Sequence, residues 1–228
     1  MALLTLEDVS MRYEPQPGAT LGEYSVFEGI DLALNAGERL GVIGRNGCGK
    51  STLLRIMAKI FAPSAGQVSW APGVSVSLLT LGLGFRTDLT GRENALLSCL
   101  LHGLSRVDAK NAVPQIADFC ELGEFFDSPV HTYSAGMRAR LGFGSALVNR
   151  SQVILIDETL GVGDAVFREK ARAALLDELT PDRAVVLVSH AEAQVKSLCT
   201  RAVLLGEGGI LSSGEPPAVL ADYAAHYR

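Results

Sequence analysis

The sequence predicts an α/β fold, a mixed β-sheet core with flanking helices that is interrupted by an all-helical insertion. Three observations predict it. Arg39 to Ile43 is a short apolar strand running straight into glycines, behind which apolar residues recur at helical spacing. From about Asp88 to Arg150 helical patterns replace strand patterns. Strands then return with a helix between them, at Val153 to Ile156 and Val185 to Val188, the alternation of an α/β sheet.

Taken in order, Leu3 to Val9 nearly alternates apolar and polar residues and reads as an edge strand. Glu14 to Gly22 is rich in Pro and Gly and reads as a loop. Phe27, Ile30, Leu32 and Leu34 mark the next strand, which Asn35-Ala36-Gly37 turns. Leu53, Leu54, Ile56, Met57, Ile60 and Phe61 mark the helix behind the glycines, and Pro63 is expected to end it. Inside the insertion, Thr90 and Glu93 form a capping box ahead of Leu96, Leu97, Leu100 and Leu101. Helical stretches follow around Ala109 to Leu122 and Met137 to Val148, and later near Phe167 to Leu179. Val203 to Leu205 and Ile210 to Ser212 flank Gly206-Glu207-Gly208-Gly209 as a hairpin, and a last helix starts near Pro216.

Composition bounds the function. The 228 residues, 48% hydrophobic and 20% charged, are enough for one folded domain with a core. A net charge of −5 advertises no basic face, so nucleic acid is not the expected partner. No apolar run reaches the ~18 residues that span a bilayer, and Met1 to Asp8 lacks the build of a signal peptide, so a cytoplasmic location is expected. Cys48, Cys99, Cys120 and Cys199 are scattered without zinc or disulfide spacing. The last three sit among apolar residues and read as small buried hydrophobes, whereas Cys48 lies in a site.

That site is Gly44-Arg45-Asn46-Gly47-Cys48-Gly49-Lys50-Ser51, which matches the P-loop pattern in full. Glycines let backbone N–H groups converge on phosphate oxygens, and the following helix offers its positive N-terminus. Lys50 supplies a point charge to the outer phosphates, and the Ser51 hydroxyl suits Mg²⁺. Val153 to Ile156 is an apolar strand ending in Asp157-Glu158, the pattern of a buried parallel strand with carboxylates at its C-terminal edge. There Asp157 can hold Mg²⁺ and Glu158 can polarise an attacking water as general base. Val185 to Val188 delivers Ser189-His190 to the same edge. A lone His is commonly structural, but this position favours a contact with the γ-phosphate. Tyr133-Ser134-Ala135-Gly136-Met137 precedes a helix, and Ser134 as an ordinary N-cap needs no further function.

These motifs, in this order over essentially the whole chain, resemble the nucleotide-binding domain of ABC transporters. The resemblance implies one ABC ATPase domain over 1–228. Its P-loop ATPase core and antiparallel β-subdomain would fall in 1–87 and 151–228, and its helical signature subdomain in about 88–150. It implies an ATP- and Mg²⁺-dependent ATPase that works as a head-to-tail homodimer, each ATP lying between one copy's P-loop and the other's signature. Gly44, Asn46, Gly47, Cys48, Gly49, Lys50, Ser51 and Thr52 would hold the nucleotide, with Ser134, Ala135 and Gly136 closing on it from the second copy. Asp164 matches the D-loop at the dimer interface. Ser51 and Asp157 would hold the metal, with Lys50, Glu158 and His190 catalytic. Tyr13 matches the aromatic that stacks on adenine, with Tyr24 and Phe27 as substitutes.

A narrower likeness lies in Glu158 to Phe167, in Leu81 to Phe85 with Leu89 to Asn94, and in Tyr133 to Arg138, which resemble exporters of bacterial cell-surface polysaccharides. Those systems move lipid-linked O-antigen, capsule or teichoic-acid chains across the inner membrane. The implied partners are transmembrane permease subunits, through which the chain would sit on the cytoplasmic face of that membrane. Export of another substrate, or a soluble non-transport ABC ATPase, are the alternatives. Two departures stand out: Leu81 to Phe85 lacks the usual Mg²⁺-contacting Gln, and Ala135 and Met137 replace the signature's second glycine position and last residue.

Overall fold

The computed structural model describes residues 1–13, 24–79, 85–147, 151–157, 164–177, 182–189 and 191–227. The chain divides into two compact units, the first made of Met1–Leu78, Ser151–Glu158 and Leu179–Arg228, the second of Leu79–Arg150 and Thr159–Glu178.

Two sheets build the first unit. β1 (Ala2–Tyr13), β2 (Tyr24–Asn35) and β4 (Ala65–Trp70) form an antiparallel sheet in the order β2-β1-β4. β1 is therefore central rather than the expected edge strand. Its second partner, β4, carries no strand signal in the sequence because Ala65-Gly66-Gln67 is exposed and lacks the apolar alternation that marks a strand. The second sheet has the order β5-β6-β7-β3-β8-β9, from β3 (Arg39–Ile43), β5 (Val76–Leu79), β6 (Val153–Asp157), β7 (Ala184–Val188), β8 (Arg201–Gly206) and β9 (Gly209–Gly214). β6, β7, β3 and β8 run parallel, and β9 returns antiparallel to β8 as the expected hairpin. β7 is buried along its whole length, as a strand at the centre of a parallel sheet must be.

α1 (Lys50–Met57) leaves β3 through the glycine loop and fills the core. Leu53, Leu54, Ile56 and Met57 are fully buried, in one cluster with Leu4, Ile30 and Leu34 of the antiparallel sheet and Val42, Leu155 and Val186 of the parallel one. The helix stops earlier than Pro63 requires. Lys59 takes the left-handed conformation (φ 63°), its N–H bonds the Ile56 carbonyl at 3.0 Å, and the Ile60 N–H bonds the Arg55 carbonyl at 2.9 Å. This pair of bonds is a Schellman stop, in which Lys59 stands where glycine is usual. α6 (Glu192–Leu198), unannounced by the sequence, and α7 (Pro216–Tyr227) complete the unit.

The second unit is helical: α2 (Gly91–Leu101), α3 (Arg106–Cys120), α4 (Ala135–Leu147) and α5 (Ala165–Asp177). The expected capping box is present, the Glu93 N–H donating to Thr90 Oγ1 at 3.2 Å and the Thr90 N–H to Glu93 Oε2 at 2.9 Å. Cys99 and Cys120 are fully buried with Ile116, Val130, Tyr133 and Leu141. Burial pushes the Cys120 thiol up to about 12, as it does for Cys199, which is partly rather than wholly buried; both shifts disfavour the thiolate. Asn94, almost wholly buried, ties the segment before α2 to the helix. Its Nδ2 donates to the carbonyls of Arg86, Leu89 and Thr90 at 2.9, 3.3 and 2.8 Å, and its Oδ1 accepts from the Arg86 N–H at 2.8 Å. Asn94→Ala strands these groups and is expected to cost about 2–4 kcal/mol, measured as a lower urea midpoint together with faster tryptic cleavage after Arg86.

Candidate functional site

The site is assembled at the C-terminal ends of β3, β6 and β7, the edge at which an open parallel sheet leaves a crevice. Asp157 of β6 pairs in register with Val188 of β7, which is itself level with Val42 of β3. Asp157 therefore stands two strands, or about 10 Å, from the mouth of the glycine loop.

Gly49 shows why the loop needs glycine. It is the N-cap of α1 at φ 100°, and a Cβ there would lie 2.5 Å from Val26 Cγ1 and 2.9 Å from Phe27 Cδ1. Gly47, at φ 86°, has open space beside it, so conformation alone selects glycine at that position. Lys50 opens α1 with its side chain buried, and Nζ donates to the carbonyls of Gly44 and Arg45 at 2.9 Å each. Its cation is folded back onto the loop.

A cleft of about 350 Å³ opens here, floored by Gly47, Lys50, Ser51 and Thr52 and flanked by Tyr13 and Tyr24. Tyr13 Oη is 3.3 Å from Thr52 Oγ1, and its ring meets Phe61 edge-on with centroids 6.4 Å apart. Tyr24, the partner of Tyr13 across β1 and β2, is 57% exposed. Phe27 is fully buried beneath Gly49, which removes it as a substitute for the adenine-stacking aromatic. Cys48 is half-buried, and burial raises its thiol against the pull of the Lys50 charge. Beside it the Arg45 guanidinium lies 5.6 Å over the Tyr227 ring of α7.

Glu158, His190 and the glycines between Glu158 and Asp164 lie outside the described residues, as do Leu81 to Gly84. Ser189, overlooked in the sequence, is buried; its Oγ donates to Gln194 Oε1 at 2.8 Å and accepts the Ala191 N–H at 3.1 Å. Ser189 is not the cap of α6, which is Ala191, so its Ser-x-x-Glu spacing with Glu192 does not mark this role. Phe85 packs, half-buried, against the helical core.

In the helical unit Ser134 is the N-cap that sequence reasoning allowed, its Oγ accepting the Met137 N–H at 3.2 Å. Tyr133 anchors that turn: its ring is buried and its hydroxyl donates to the Phe125 carbonyl at 2.5 Å. Ser134 and Ala135 are exposed, so the first turn of α4 presents small residues and helix-end N–H groups to its surroundings. Asp164 caps α5 by accepting the Phe167 N–H at 2.9 Å, a bond that lowers its carboxyl pKa, and it pairs with Arg140 of α4.

Residues 27–161 match the family model described as ABC transporter. The chain belongs to the ABC transporter family. It is 41% identical to the O-antigen export system ATP-binding protein RfbE of Yersinia enterocolitica over 84% of its own length and 81% of that protein's. It is 37% identical to the teichoic acids export ATP-binding protein TagH of Enterococcus faecalis, over 87% of the chain but only 44% of that relative. The chain thus spans less than half of some of the curated relatives it matches. In fold it resembles the dimeric post-hydrolysis state of the ATP-binding cassette MJ0796 bound to ADP and Pi, with 21% identity, 93% of this chain and 98% of that one covered, and a TM-score of 0.78. The chain is an ABC ATPase cassette, and ATP is the nucleotide of that family. Among the described residues no helix is long and apolar enough to cross a membrane.

The two loop glycines separate strain from clash. In ligand-free thermal melts, Gly47→Ala is expected to cost about 1 kcal/mol of backbone strain. Gly49→Ala adds the collision with Val26 and is expected to cost more than about 3 kcal/mol.

Proposed function

We propose that the chain is the ATP-hydrolysing subunit of an exporter that carries a lipid-linked cell-surface polysaccharide across the inner membrane. One observation carries this reading: a complete P-loop cleft with a buried Lys50 in a chain 41% identical to an O-antigen export ATP-binding protein over most of both lengths. Permease subunits would hold it at the cytoplasmic face and would rest near Leu81 to Arg92, a stretch whose Arg86 to Thr90 part Asn94 fastens to α2.

In this reading two copies close on two ATP molecules. The adenine stacks on Tyr13, whose hydroxyl is steadied by Thr52. The phosphates take the loop amides of Gly44 to Gly49 and the N-terminus of α1, and Lys50 turns its ammonium from the loop carbonyls toward the outer phosphates. The Ser51 hydroxyl and the Asp157 carboxylate are hard oxygen donors on the same sheet edge, fit to hold Mg²⁺, which would neutralise charge between the outer phosphates. Glu158, next in the chain, polarises the attacking water, and His190, which follows Ser189 at the end of β7 in the sequence, contacts the γ-phosphate. Ser134 and Gly136 of the second copy supply helix-end N–H groups on the far side. Hydrolysis then rests on positioning and electrostatics rather than on covalent chemistry.

A composite site makes the rate rise faster than linearly with protein concentration. Glu158→Gln is expected to keep ATP binding, to lose turnover by about 10²–10⁴-fold, and to accumulate an ATP-bound dimer on size-exclusion chromatography. In cells lacking the native gene, lipid-linked glycan should build up inside the membrane and be cleared by the wild type but not by the mutant. Full activity of Glu158→Gln removes the assigned base, and unchanged glycan export in the deletion strain removes the substrate.

A further inference from the structure

The helical unit contains a built polar junction that the P-loop chemistry does not use. Three phenylalanines from three helices meet at its base. Phe119 of α3 stacks with Phe143 of α4 at 5.9 Å, and Phe167 of α5 stands edge-on to both at 5.6 and 6.3 Å. Two cations cover these rings, Arg140 over Phe167 at 4.8 Å and Lys170 over Phe119 at 4.9 Å. Two carboxylates join the cations. Glu121 Oε1 accepts from Lys170 Nζ at 2.5 Å, Glu121 Oε2 lies 3.7 Å from Arg140 Nη1, and Asp164 Oδ2 accepts from Arg140 Nη2. Lys170 Nζ also donates to the Phe119 carbonyl at 2.9 Å, so the chain of contacts runs unbroken from α3 through α5 to α4.

Arg140 is the shared member. It sits six residues beyond Ser134 on the same helix, and its side chain is 21% exposed where those of Asp164 and Glu121 are more than half exposed. Exposed ion pairs add little to stability, so a contribution to folding energy is a poor account of this geometry. What the arrangement does supply is orientation: a planar guanidinium, packed on a ring, fixes the direction of Asp164 as a flexible ammonium cannot. Asp164 uses its other oxygen to cap α5, so the start of α5 is tied to the helix that carries Ser134 and Gly136.

We propose that Arg140 is a positioning residue for ATP hydrolysis, clasping Asp164 and the start of α5 to α4 so that the signature helix start and Asp164 are set as one piece. This rests on the composite-site reading above, in which both elements face a nucleotide held by the second copy. Misplacing such elements by about 1 Å costs rate far more than it costs stability.

The test compares Arg140→Ala, Arg140→Lys, Asp164→Asn and the Arg140→Ala/Asp164→Asn double variant of the whole chain. Asn retains the helix cap while losing the charge. Hydrogen–deuterium exchange of the ligand-free protein reads the clasp, and ATPase kinetics read its use. Arg140→Ala should speed exchange at Ala165 to Arg168, lower kcat by about 10- to 100-fold, leave the KM for ATP within about twofold and leave the melting temperature nearly unchanged. Arg140→Lys should recover part of both readouts, and the double variant should be no slower than the worse single one. Unchanged exchange at Ala165 to Arg168 in Arg140→Ala overturns the clasp. Faster exchange with unaltered kcat, or rate losses that add in the double variant and track the melting temperature, overturns its catalytic use. A wild-type rate strictly linear in protein concentration defeats the composite site instead, and exchange then still decides whether the clasp exists.

Discussion

A buried ammonium whose described partners are two carbonyls of its own loop sets the terms for the rest of the molecule. Lys50 is desolvated at the first residue of α1, where the helix already concentrates positive potential. Partial negative charge on the Gly44 and Arg45 carbonyls offsets the cation only in part. Positive potential is therefore concentrated at the mouth of the cleft, a setting that favours an anion. The core is arranged around holding this feature rigid. Leu53, Leu54, Ile56 and Met57 lock α1 between two sheets, and Phe27 fills the space directly under Gly49, so the loop cannot relax inward.

Much of this was readable from residue order because the constraint is local. A strand buried on both faces must be apolar throughout, so β3, β6 and β7 announced themselves, and the polar residues that follow them mark the sheet edge. The capping box at Thr90 and the N-cap at Ser134 involve residues three apart and were equally plain. What escaped was decided elsewhere in the chain. β4 takes its strand state from pairing with β1 rather than from its own exposed residues. α1 ends at a Schellman motif on Lys59, where no glycine or proline signals a stop, so Pro63 drew the boundary too late. Phe27 sits in an alternating strand and gave no hint that its ring serves Gly49 rather than a base.

The helical unit shows the same division between local and distant signals. Ser134 reads correctly as a cap, and that capping role and a role toward nucleotide are not rivals. Capping uses its hydroxyl on Met137 and leaves the remaining first-turn N–H groups free to face outward. The pairing of Arg140 with Asp164 joins residues 24 positions apart across two helices, so no spacing rule reaches it. Its setting over Phe167 is equally nonlocal, since Phe119, Phe143 and Phe167 come from three helices.

The two carboxylates that bracket the proposed general base are held by different devices, and this difference suits what each must do. Asp157 is fixed by strand pairing with β7, a restraint that acts through the backbone rather than through the side chain. Asp164 is fixed through its side chain, one oxygen on the α5 cap and the other on Arg140, so the backbone around it is set by what those oxygens hold. A metal ligand needs open lone pairs on a rigid stem, whereas a turn that must keep its place against a helix needs its lone pairs filled. The chain uses both devices within seven positions, a backbone restraint at Asp157 and a side-chain restraint at Asp164.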